Sequence, residues 1–441
     1  MRSAGEYGAM PSSNPRGLDV VLPTIGSAGD VHPIIELGTA LKGRGHRPTI
    51  VTNEFFGEQI RAAGIEFIQM GTIQEADDAV ADPRLWHKTK AFECVVERAI
   101  APNIPRLYEI LMKRCGPETI VAASCISLGA HIAHEKMGFP FAIANLQPAV
   151  FRSLHDGGYQ GRMPLGPGVP KFIKKSFYWM ADKVLVDKLL CPPVNAFRAS
   201  VGLAPLSRIF EGYHQSAELV ICFFPEWFAP LQPDWPPNTR LVGFVLHDAR
   251  DHYEVPDEVE RFLSSGTAPI VFTPGSAAST LHDFFEESVK ACRLGGFRAM
   301  LVTNYREQLP DDLPEGVRAF PYLPFGEILP RCSTLVYAGG VGTCAQAIKA
   351  AVPQLVVPQA HDQPDNAARV ERLGLGHRIY PEQYKAKRVA QTLAGLQTSA
   401  AMRQRCGEYS ARIDSGESLR RTCELIEELG RRTAKNFGAK P

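Results

Sequence analysis

The sequence lacks the features that mark membrane-spanning, nucleic-acid-binding, zinc-binding and disulfide-stabilised proteins. It contains no uninterrupted apolar run of the roughly 18 residues that a membrane-spanning helix needs. The 48 Lys and Arg residues nearly balance the 47 Asp and Glu residues, so the net charge of +1 creates no basic field that would attract nucleic acid. The ten cysteines form no CxxC pair, which argues against a zinc site or a disulfide framework and favours a cytoplasmic location.

What the sequence does contain is alternating strand and helix patterns in each half of a chain of 441 residues, which is long enough for two domains. Leu18–Pro23 predicts a buried strand, Pro33 the start of a helix, and Arg47–Val51 the next strand, which together make a βαβ unit. The same alternation resumes at Ile270–Thr273. We therefore predict an α/β protein of two doubly wound, Rossmann-like domains that face a cleft, with ligands beyond the carboxyl ends of the strands.

Composition predicts the domain boundaries. Residues 1–17 are polar, contain no apolar run of signal-peptide length, and are predicted to form a flexible tail. The first domain is predicted over 18–235, a Pro-rich connection over 236–255, and the second domain over 256–412, followed by a helical segment over 413–441. The alternation is lost between about Phe151 and Pro193, which predicts an irregular excursion near a binding cleft.

The most informative segment is a glycine-rich junction between a strand and a helix. Gly339, Gly340 and Gly342 follow the predicted strand 334–337, and an apolar-faced helix begins near Thr343. Glycines allow a backbone to approach a ligand closely, and a helix start offers unpaired N–H groups and the positive end of a dipole to a phosphate. A tight turn that binds no ligand is the alternative.

A dense polar loop, Pro358–Asn366, follows the next predicted strand of the same half. Asp362 and Gln363 could exchange hydrogen bonds with sugar hydroxyls, and Asn366 could support a phosphate. Folding alone rarely requires so many polar groups at a strand end, so we predict a ligand site there.

The stretch from Tyr322 to Asn366 resembles the donor-binding motif of nucleotide-sugar glycosyltransferases of the GT-B fold, the UDP-glycosyltransferase superfamily. The resemblance implies that the glycine turn holds the diphosphate, that Asp362 and Gln363 hold the sugar, and that Tyr322 stacks on the base. The donor-site residues that it implies, including a second phosphate-facing loop, are Thr273, Gly275, Ser276, Tyr322, Leu323, Tyr337, Gly339, Gly340, Val341, Gly342, Thr343, Asp362, Gln363 and Asn366. Tyr337-Ala338 stands where the family usually carries a phosphate-contacting His. A tyrosine hydroxyl can donate a hydrogen bond but carries no charge, which keeps a catalytically impaired binder open as an alternative.

The loop Gly26–Pro33 matches the position from which the family supplies its catalytic base. The Gly-Asp-Val-x-Pro version of this loop, which sterol, antibiotic and rhamnolipid enzymes carry, implies that Asp30 is the base. A carboxylate within hydrogen-bond reach can take the proton of an attacking hydroxyl. His32 is the rival base, and capping a helix that begins at Pro33 is the structural role open to Asp30.

The resemblance extends over most of residues 18–375 and is greatest to the rhamnosyltransferases of rhamnolipid synthesis and to sterol and antibiotic glycosyltransferases. It implies an inverting, metal-independent transfer of a rhamnose- or glucose-type hexose from a dTDP- or UDP-sugar to a lipid-like hydroxyl acceptor, with no tightly bound cofactor. It implies that the first domain binds the acceptor, that the second binds the donor, and that the last helix returns to the first domain. A nucleotide-sugar epimerase or hydrolase on the same fold is the alternative.

Cations mix with aromatic residues in Lys171–Met180, as in an interfacial helix at the inner face of a membrane. A helix with a core face and a solvated Lys face is the alternative. The sequence leaves the oligomeric state open.

Overall fold

The computed structural model describes residues 17–247, 255–275 and 281–438 of the chain and contains two parallel sheets flanked by helices. The strands are β1 Asp19–Pro23, β2 Arg47–Thr52, β3 Glu66–Gln69, β4 Ile120–Ser124, β5 Phe141–Asn145, β6 Tyr159–Gln160, β7 Met163–Pro164, β8 Leu219–Cys222, β9 Thr239–Leu241, β10 Ile270–Thr273, β11 Ala299–Val302, β12 Val317–Phe320, β13 Thr334–Tyr337, β14 Gln354–Val356 and β15 Gly376–Arg378. The first sheet has the order β3-β2-β1-β4-β5-β8-β9 and the second has the order β12-β11-β10-β13-β14-β15. Every strand pair in both sheets is parallel. The doubly wound α/β prediction is therefore confirmed.

Helices connect these parallel strands, because a parallel pair needs a crossover. They are α1 Ala28–Gly43, α2 Gly57–Ala62, α3 Ile73–Ala81, α4 Ala91–Val95, α5 Asn103–Arg114, α6 Leu128–Met137, α7 Lys171–Ala181, α8 Asp187–Ser200, α9 Ile209–Ser216, α10 Asp257–Ser264, α11 His282–Gly295, α12 Phe325–Ile328, α13 Val341–Lys349, α14 Gln363–Arg372, α15 Ala386–Thr398, α16 Ala400–Ser410 and α17 Ser415–Gly438. Among the described residues, no helix is both long and apolar enough to cross a membrane.

The first helix begins earlier than the sequence pattern predicts. We expected a start at Pro33, but α1 begins at Ala28 and carries Pro33 in its interior. A capping box accounts for the early start, because the Asp30 carboxylate accepts a hydrogen bond from the Ser27 backbone N–H. Pro33 lies beyond the first turn, so α1 lacks the one hydrogen bond that an N–H at this position would donate to the Gly29 carbonyl.

The segment between Phe151 and Pro193 is more regular than predicted. After the short β6–β7 hairpin it forms α7, a turn of π-helix over Asp182–Val186, and the first half of α8. The prediction of an irregular excursion is therefore wrong for the part that begins at Lys171, which is helical. Helices α4 and α5 are close in sequence but separate, because a π-helical turn over Val96–Ile100 and Pro102 lie between them.

Strand β9, in the connection between the two halves, and helix α17, at the end of the chain, both pack on the first sheet. Strand β9 lies inside the predicted connection 236–255 and pairs with β8 at the edge of the first sheet. Helix α17 buries Leu419, Cys423 and Ile426 in the cluster that contains Val20 and Leu22 of β1. A bidentate Arg44–Glu427 pair, with N–O distances of 2.7 and 3.0 Å, joins α17 to the residue that follows α1.

Candidate active site

Asp30 is held in the first turn of α1 by the loop that precedes it. Its Oδ2 accepts hydrogen bonds from the Ser27 backbone N–H at 2.8 Å and from the Ser27 hydroxyl at 3.2 Å. Gly26 has φ +142°, and a Cβ there would lie 2.2 Å from the same oxygen. The loop thus requires glycine at position 26, and the carboxylate has a fixed position at the end of β1.

The carboxyl groups of Asp30 and Asp362, which follow strands of different sheets, lie close enough for the charge of Asp30 to affect the pKa of Asp362. Burial raises the pKa of Asp30 above its usual value, although hydrogen bonds from Ser27 oppose the rise. Burial also raises the pKa of Asp362 to about 7, and the negative charge of Asp30 adds to that rise. The structure therefore brings the predicted base and the predicted sugar ligand to one site.

The glycine turn after β13 begins α13 at the same place. Gly339 has φ +102°, and a Cβ there would lie 2.8 Å from Val356 Cγ1, so the turn requires glycine. Gly340 is the N-cap of α13, and Val341, Gly342 and Thr343 form its first turn. A Cβ on Gly342 would lie 3.8 Å from the Cα of Gly29 in α1. The starts of α1 and α13 therefore face each other, and both present the positive ends of their dipoles to the carboxylates and to any anion bound there.

Asn366 positions the other groups of the site instead of facing a phosphate. It is fully buried, and its Nδ2 donates to the Gly339 carbonyl at 2.9 Å and to Asp362 Oδ2 at 2.7 Å. Asp362 itself is the N-cap of α14. One amide thus connects the glycine turn to the carboxylate, which corrects the expectation of a direct phosphate contact.

Three further predicted donor residues make contacts within the protein, and their roles toward a ligand stay predictions. The Tyr337 hydroxyl is buried and donates to Gln354 Oε1 at 2.6 Å, so it does not replace the phosphate-contacting His. Leu323 packs in the core cluster beneath the second sheet. The Gln363 side-chain oxygen accepts from the backbone N–H groups of Gln359 and Ala360, at 2.9 and 3.2 Å, and so braces its own loop.

The remaining predicted residues follow strand ends of the second sheet. Thr273 ends β10, and its hydroxyl accepts from the Gly275 backbone N–H at 3.3 Å. Tyr322 follows β12 and is 40% exposed, so its ring is accessible to a stacking base. Ser276 lies outside the described residues. Within the described ranges, no group of three or more His, Cys, Asp or Glu side chains could hold a metal ion.

His32 faces the interdomain connection. The centre of its ring lies 4.1 Å from the centre of the His247 ring, and His247 Nδ1 donates a 2.7 Å hydrogen bond to Glu36 Oε1. Burial and the proximity of His247 lower the pKa of His32 to about 4. The imidazole is therefore neutral at pH 7 and a weak base, which favours Asp30 over its rival.

Two family models match the chain, one in each sheet-containing half. The glycosyltransferase family 28 N-terminal domain matches residues 20–154, and the C-terminal domain of the erythromycin biosynthesis protein CIII-like family matches residues 298–416. The chain belongs to the GT-B glycosyltransferases.

Relatives of this glycosyltransferase match both halves. The O-mycaminosyltylonolide 6-deoxyallosyltransferase of Streptomyces fradiae is 27% identical over 420 residues, which cover 93% of this chain and 97% of the relative. The sterol 3-beta-glucosyltransferase UGT80A2 of Arabidopsis thaliana is 26% identical over 81% of this chain and 57% of the relative.

Solved structures share the fold of this glycosyltransferase. The glycotransferase of kitacinnamycin has a TM-score of 0.70 at 19% identity and matches 94% of this chain and 100% of its own. The spinosyn rhamnosyltransferase SpnG complexed with thymidine diphosphate has a TM-score of 0.61 at 16% identity and matches 92% of this chain and 100% of its own. These matches confirm the GT-B architecture.

Sequence reasoning missed several residues that shape the site of this glycosyltransferase. Ser27 anchors Asp30, and the Ser-x-x-Asp spacing of a capping box was the available signal. His361 has φ +59°, and its Nε2 makes a 2.9 Å hydrogen bond with the carbonyl of Leu85. No local pattern indicates the contact between His361 and Leu85, because the two residues are 276 positions apart.

Proposed function

We propose that this glycosyltransferase inverts the anomeric centre of a rhamnose- or glucose-type hexose as it transfers the sugar from a nucleoside diphosphate to a hydroxyl of a hydrophobic acceptor. The observation that carries the proposal is the juxtaposition of Asp30 with the α13 start and Asp362. A proton acceptor, a sugar-binding carboxyl and a phosphate-binding helix end are the three groups that a single displacement requires.

Asp30 acts as the general base. The acceptor hydroxyl oxygen forms a bond to the anomeric carbon, the bond from that carbon to the diphosphate oxygen breaks, and the hydroxyl proton passes to the Asp30 carboxylate. The raised pKa of Asp30 makes it a better proton acceptor than an ordinary carboxylate. The first-turn N–H groups of Val341, Gly342 and Thr343 stabilise the charge on the departing diphosphate, so the step uses no metal.

The donor is a dTDP- or UDP-sugar, and the thymidine form is favoured. The spinosyn rhamnosyltransferase with the same fold is complexed with thymidine diphosphate. Tyr322 is exposed at a strand end, where its ring can stack on either pyrimidine. Asp362 receives the sugar hydroxyls, and Asn366 fixes the position of its carboxyl.

The acceptor belongs to the class of ring-containing, largely apolar alcohols. Of the two relatives described above, one is named for O-mycaminosyltylonolide and the other for sterols. We assign acceptor binding to residues 18–235 and donor binding to residues 256–412. This assignment is supported by the hydrogen bond between His361 Nε2 and the Leu85 carbonyl, because it brings the 82–86 segment of the first half close to the loop that carries Asp362. We also propose that the enzyme acts in the cytoplasm.

The test is a transfer assay with dTDP-glucose and dTDP-rhamnose, offered with sterol and macrolide alcohols, that measures release of dTDP. We expect release to require an acceptor and to fall by about 10²- to 10⁴-fold in Asp30→Asn, because the base is removed. The amide oxygen can still accept from Ser27, so the fold should persist. Stabilisation of the thermal midpoint by dTDP should match that of the unaltered enzyme.

Each other outcome identifies a different failure. Turnover of the donor without acceptor would favour the epimerase or hydrolase alternative. Full turnover in Asp30→Asn, combined with loss of turnover in His32→Gln, would identify His32 as the general base. If neither dTDP nor UDP raises the midpoint at millimolar concentration, the donor site is wrong. Binding without turnover on any acceptor would favour an impaired binder.

A further inference from the structure

Helix α7 is amphipathic in the opposite sense to an ordinary surface helix. Its inward positions are polar and spaced four apart, at Lys174, Tyr178 and Asp182, where the π-helical turn begins. All three are buried. An ordinary surface helix packs an apolar stripe on the core and leaves its polar face in water.

Specific polar contacts hold this inward face on the loop that precedes it. Lys174 Nζ donates to the Leu154 carbonyl at 3.2 Å, and the Tyr178 hydroxyl donates to the Ser153 carbonyl at 3.2 Å. Arg152 Nη1 donates to Asp182 Oδ2 at 2.7 Å. Because these bonds fix the rotation of the helix about its axis, its apolar residues cannot turn inward without leaving buried charges unpaired.

The apolar side chains of the segment therefore face solvent. Phe172 is 71% exposed, Trp179 is 62% exposed and Val184 is 64% exposed. Together with exposed Ile173, Met180 and Leu185 they make up what we call the apolar face. Six large apolar side chains exposed in one helical segment indicate an interaction site in a protein that folds in water.

The exposed charged side chains of this segment are all positive. Lys171, Lys175, Lys183 and Lys188 are all exposed. The ammonium of Lys183 lies 4.8 Å from the centre of the Trp179 ring. The carboxylates of residues 165–190, a range that the structure describes in full, are the buried Asp182 and the half-buried Asp187, which accepts from the Arg208 backbone N–H at 3.0 Å.

We propose that the apolar face docks the first domain on an anionic lipid membrane, with α7 lying in the plane of the interface. Apolar and aromatic side chains enter the boundary between headgroups and acyl chains, while the surrounding lysines contact anionic headgroups. Aromatic residues such as Trp179 favour that depth. This inference does not rest on glycosyl transfer, because it concerns the outer surface of α7 and none of the residues assigned to the reaction.

Co-sedimentation of the full chain with vesicles tests the proposal. We expect binding to vesicles of phosphatidylcholine with added phosphatidylserine, weaker binding to phosphatidylcholine alone, and release by high salt. The double variant Phe172→Ser/Trp179→Ser should lose binding to both. Lys175→Glu/Lys183→Glu should weaken only the anionic component, by about fivefold or more for each lysine.

Matched controls separate docking from general effects of substitution. Leu294→Ser removes an apolar side chain of similar exposure, 66%, from α11, and Lys387→Glu reverses an exposed charge on α15. Both should bind vesicles like the unaltered protein. Thermal unfolding of every variant checks that it is folded.

Three results would overturn the proposal. The first is that the unaltered protein binds neither kind of vesicle, and the second is that it and the Phe172→Ser/Trp179→Ser variant bind equally. The third is self-association in sedimentation velocity that this variant abolishes, without vesicle binding, because the apolar face would then serve a second copy of the chain.

Discussion

At the scale of single residues, the carboxyl of Asp362 makes the stability of the fold depend on pH. Its pKa is about 7 in the folded chain, against 3.8 for an unperturbed Asp, because burial and the charge of Asp30 disfavour ionisation. The unfolded chain therefore releases this proton at a lower pH than the folded one. The Asp362 contribution is complete below about pH 4 and is lost as the pH rises to about 7.

We therefore predict that Asp362→Asn is more stable than the unaltered protein at about pH 8, and that the advantage shrinks towards pH 5. Its size should be on the order of 2 kcal/mol, below the full 1.4 kcal/mol per pKa unit because the carboxyl is only partly buried. Thermal unfolding at several pH values measures it. Glu408→Gln, which changes an exposed carboxylate on α16, is the control. An advantage that does not vary with pH would contradict the assignment.

Motifs predicted that Asp30 and Asp362 lie at one site, which the structure shows, whereas the chemical roles of these residues stay predictions. Asp30 and Asp362 could be predicted from motifs, because the ends of parallel strands meet at one edge of a sheet. Tyr337 and Asn366 could not be assigned correctly, because motif position does not tell which side of a turn a side chain takes. Tyr337 bonds Gln354 and Asn366 bonds the glycine turn, and both contacts depend on packing between neighbouring strands.

At the scale of elements, adjacent glycines in the turn before α13 have different roles. Gly339 has φ +102° and little space for a Cβ, whereas Gly340 has φ −59° and nothing within 4 Å of its hypothetical Cβ. Gly339 is therefore needed for the fold. Gly340 leaves the space above the helix start free for a diphosphate.

We predict that Gly339→Ala lowers stability by about 1–3 kcal/mol, because it combines backbone strain with a close contact. Gly340→Ala should leave the unfolding midpoint of the unliganded protein nearly unchanged but reduce its rise with dTDP, because the added methyl group occupies the phosphate position. Calorimetric scans of both variants, with and without dTDP, make the comparison. Undiminished stabilisation by dTDP in Gly340→Ala would show that the diphosphate lies elsewhere.

Element positions followed from local patterns, but their exact starts and partners did not. Core strands such as Ile270–Thr273 appear where predicted because both faces are buried and the run is continuously apolar. The orientation of helix α7 could not be predicted, because its periodicity fits either an interfacial helix or a core-packed one. Only the hydrogen bonds of Lys174 and Tyr178 show which face is inward.

At the scale of the whole molecule, α14 joins the two halves of the chain beside the site. The Asp365 carboxylate accepts from the Tyr159 backbone N–H at 2.8 Å and pairs with Arg369 at 2.7 Å. Arg369 also donates to the Phe228 carbonyl at 2.9 Å. No local pattern predicts contacts between residues 206 positions apart. Helix α14, whose N-cap is Asp362, is thus anchored on the first domain by its middle turn.

Removing Arg369 from the Asp365–Arg369 pair should weaken the packing of α14 on the first domain and so destabilise the fold. The side chains of Arg369 and Asp365 are 8% and 2% exposed, so Arg369→Met would leave a buried carboxylate without its cation. We expect a loss of about 3 kcal/mol, measured as a fall in the calorimetric midpoint. Arg331→Met breaks the pair with Glu260, whose side chains are 39% and 45% exposed, and should cost under about 1 kcal/mol. Equal losses would mean that the Asp365–Arg369 pair stays hydrated, and that α14 is held on the first domain by its apolar contacts instead.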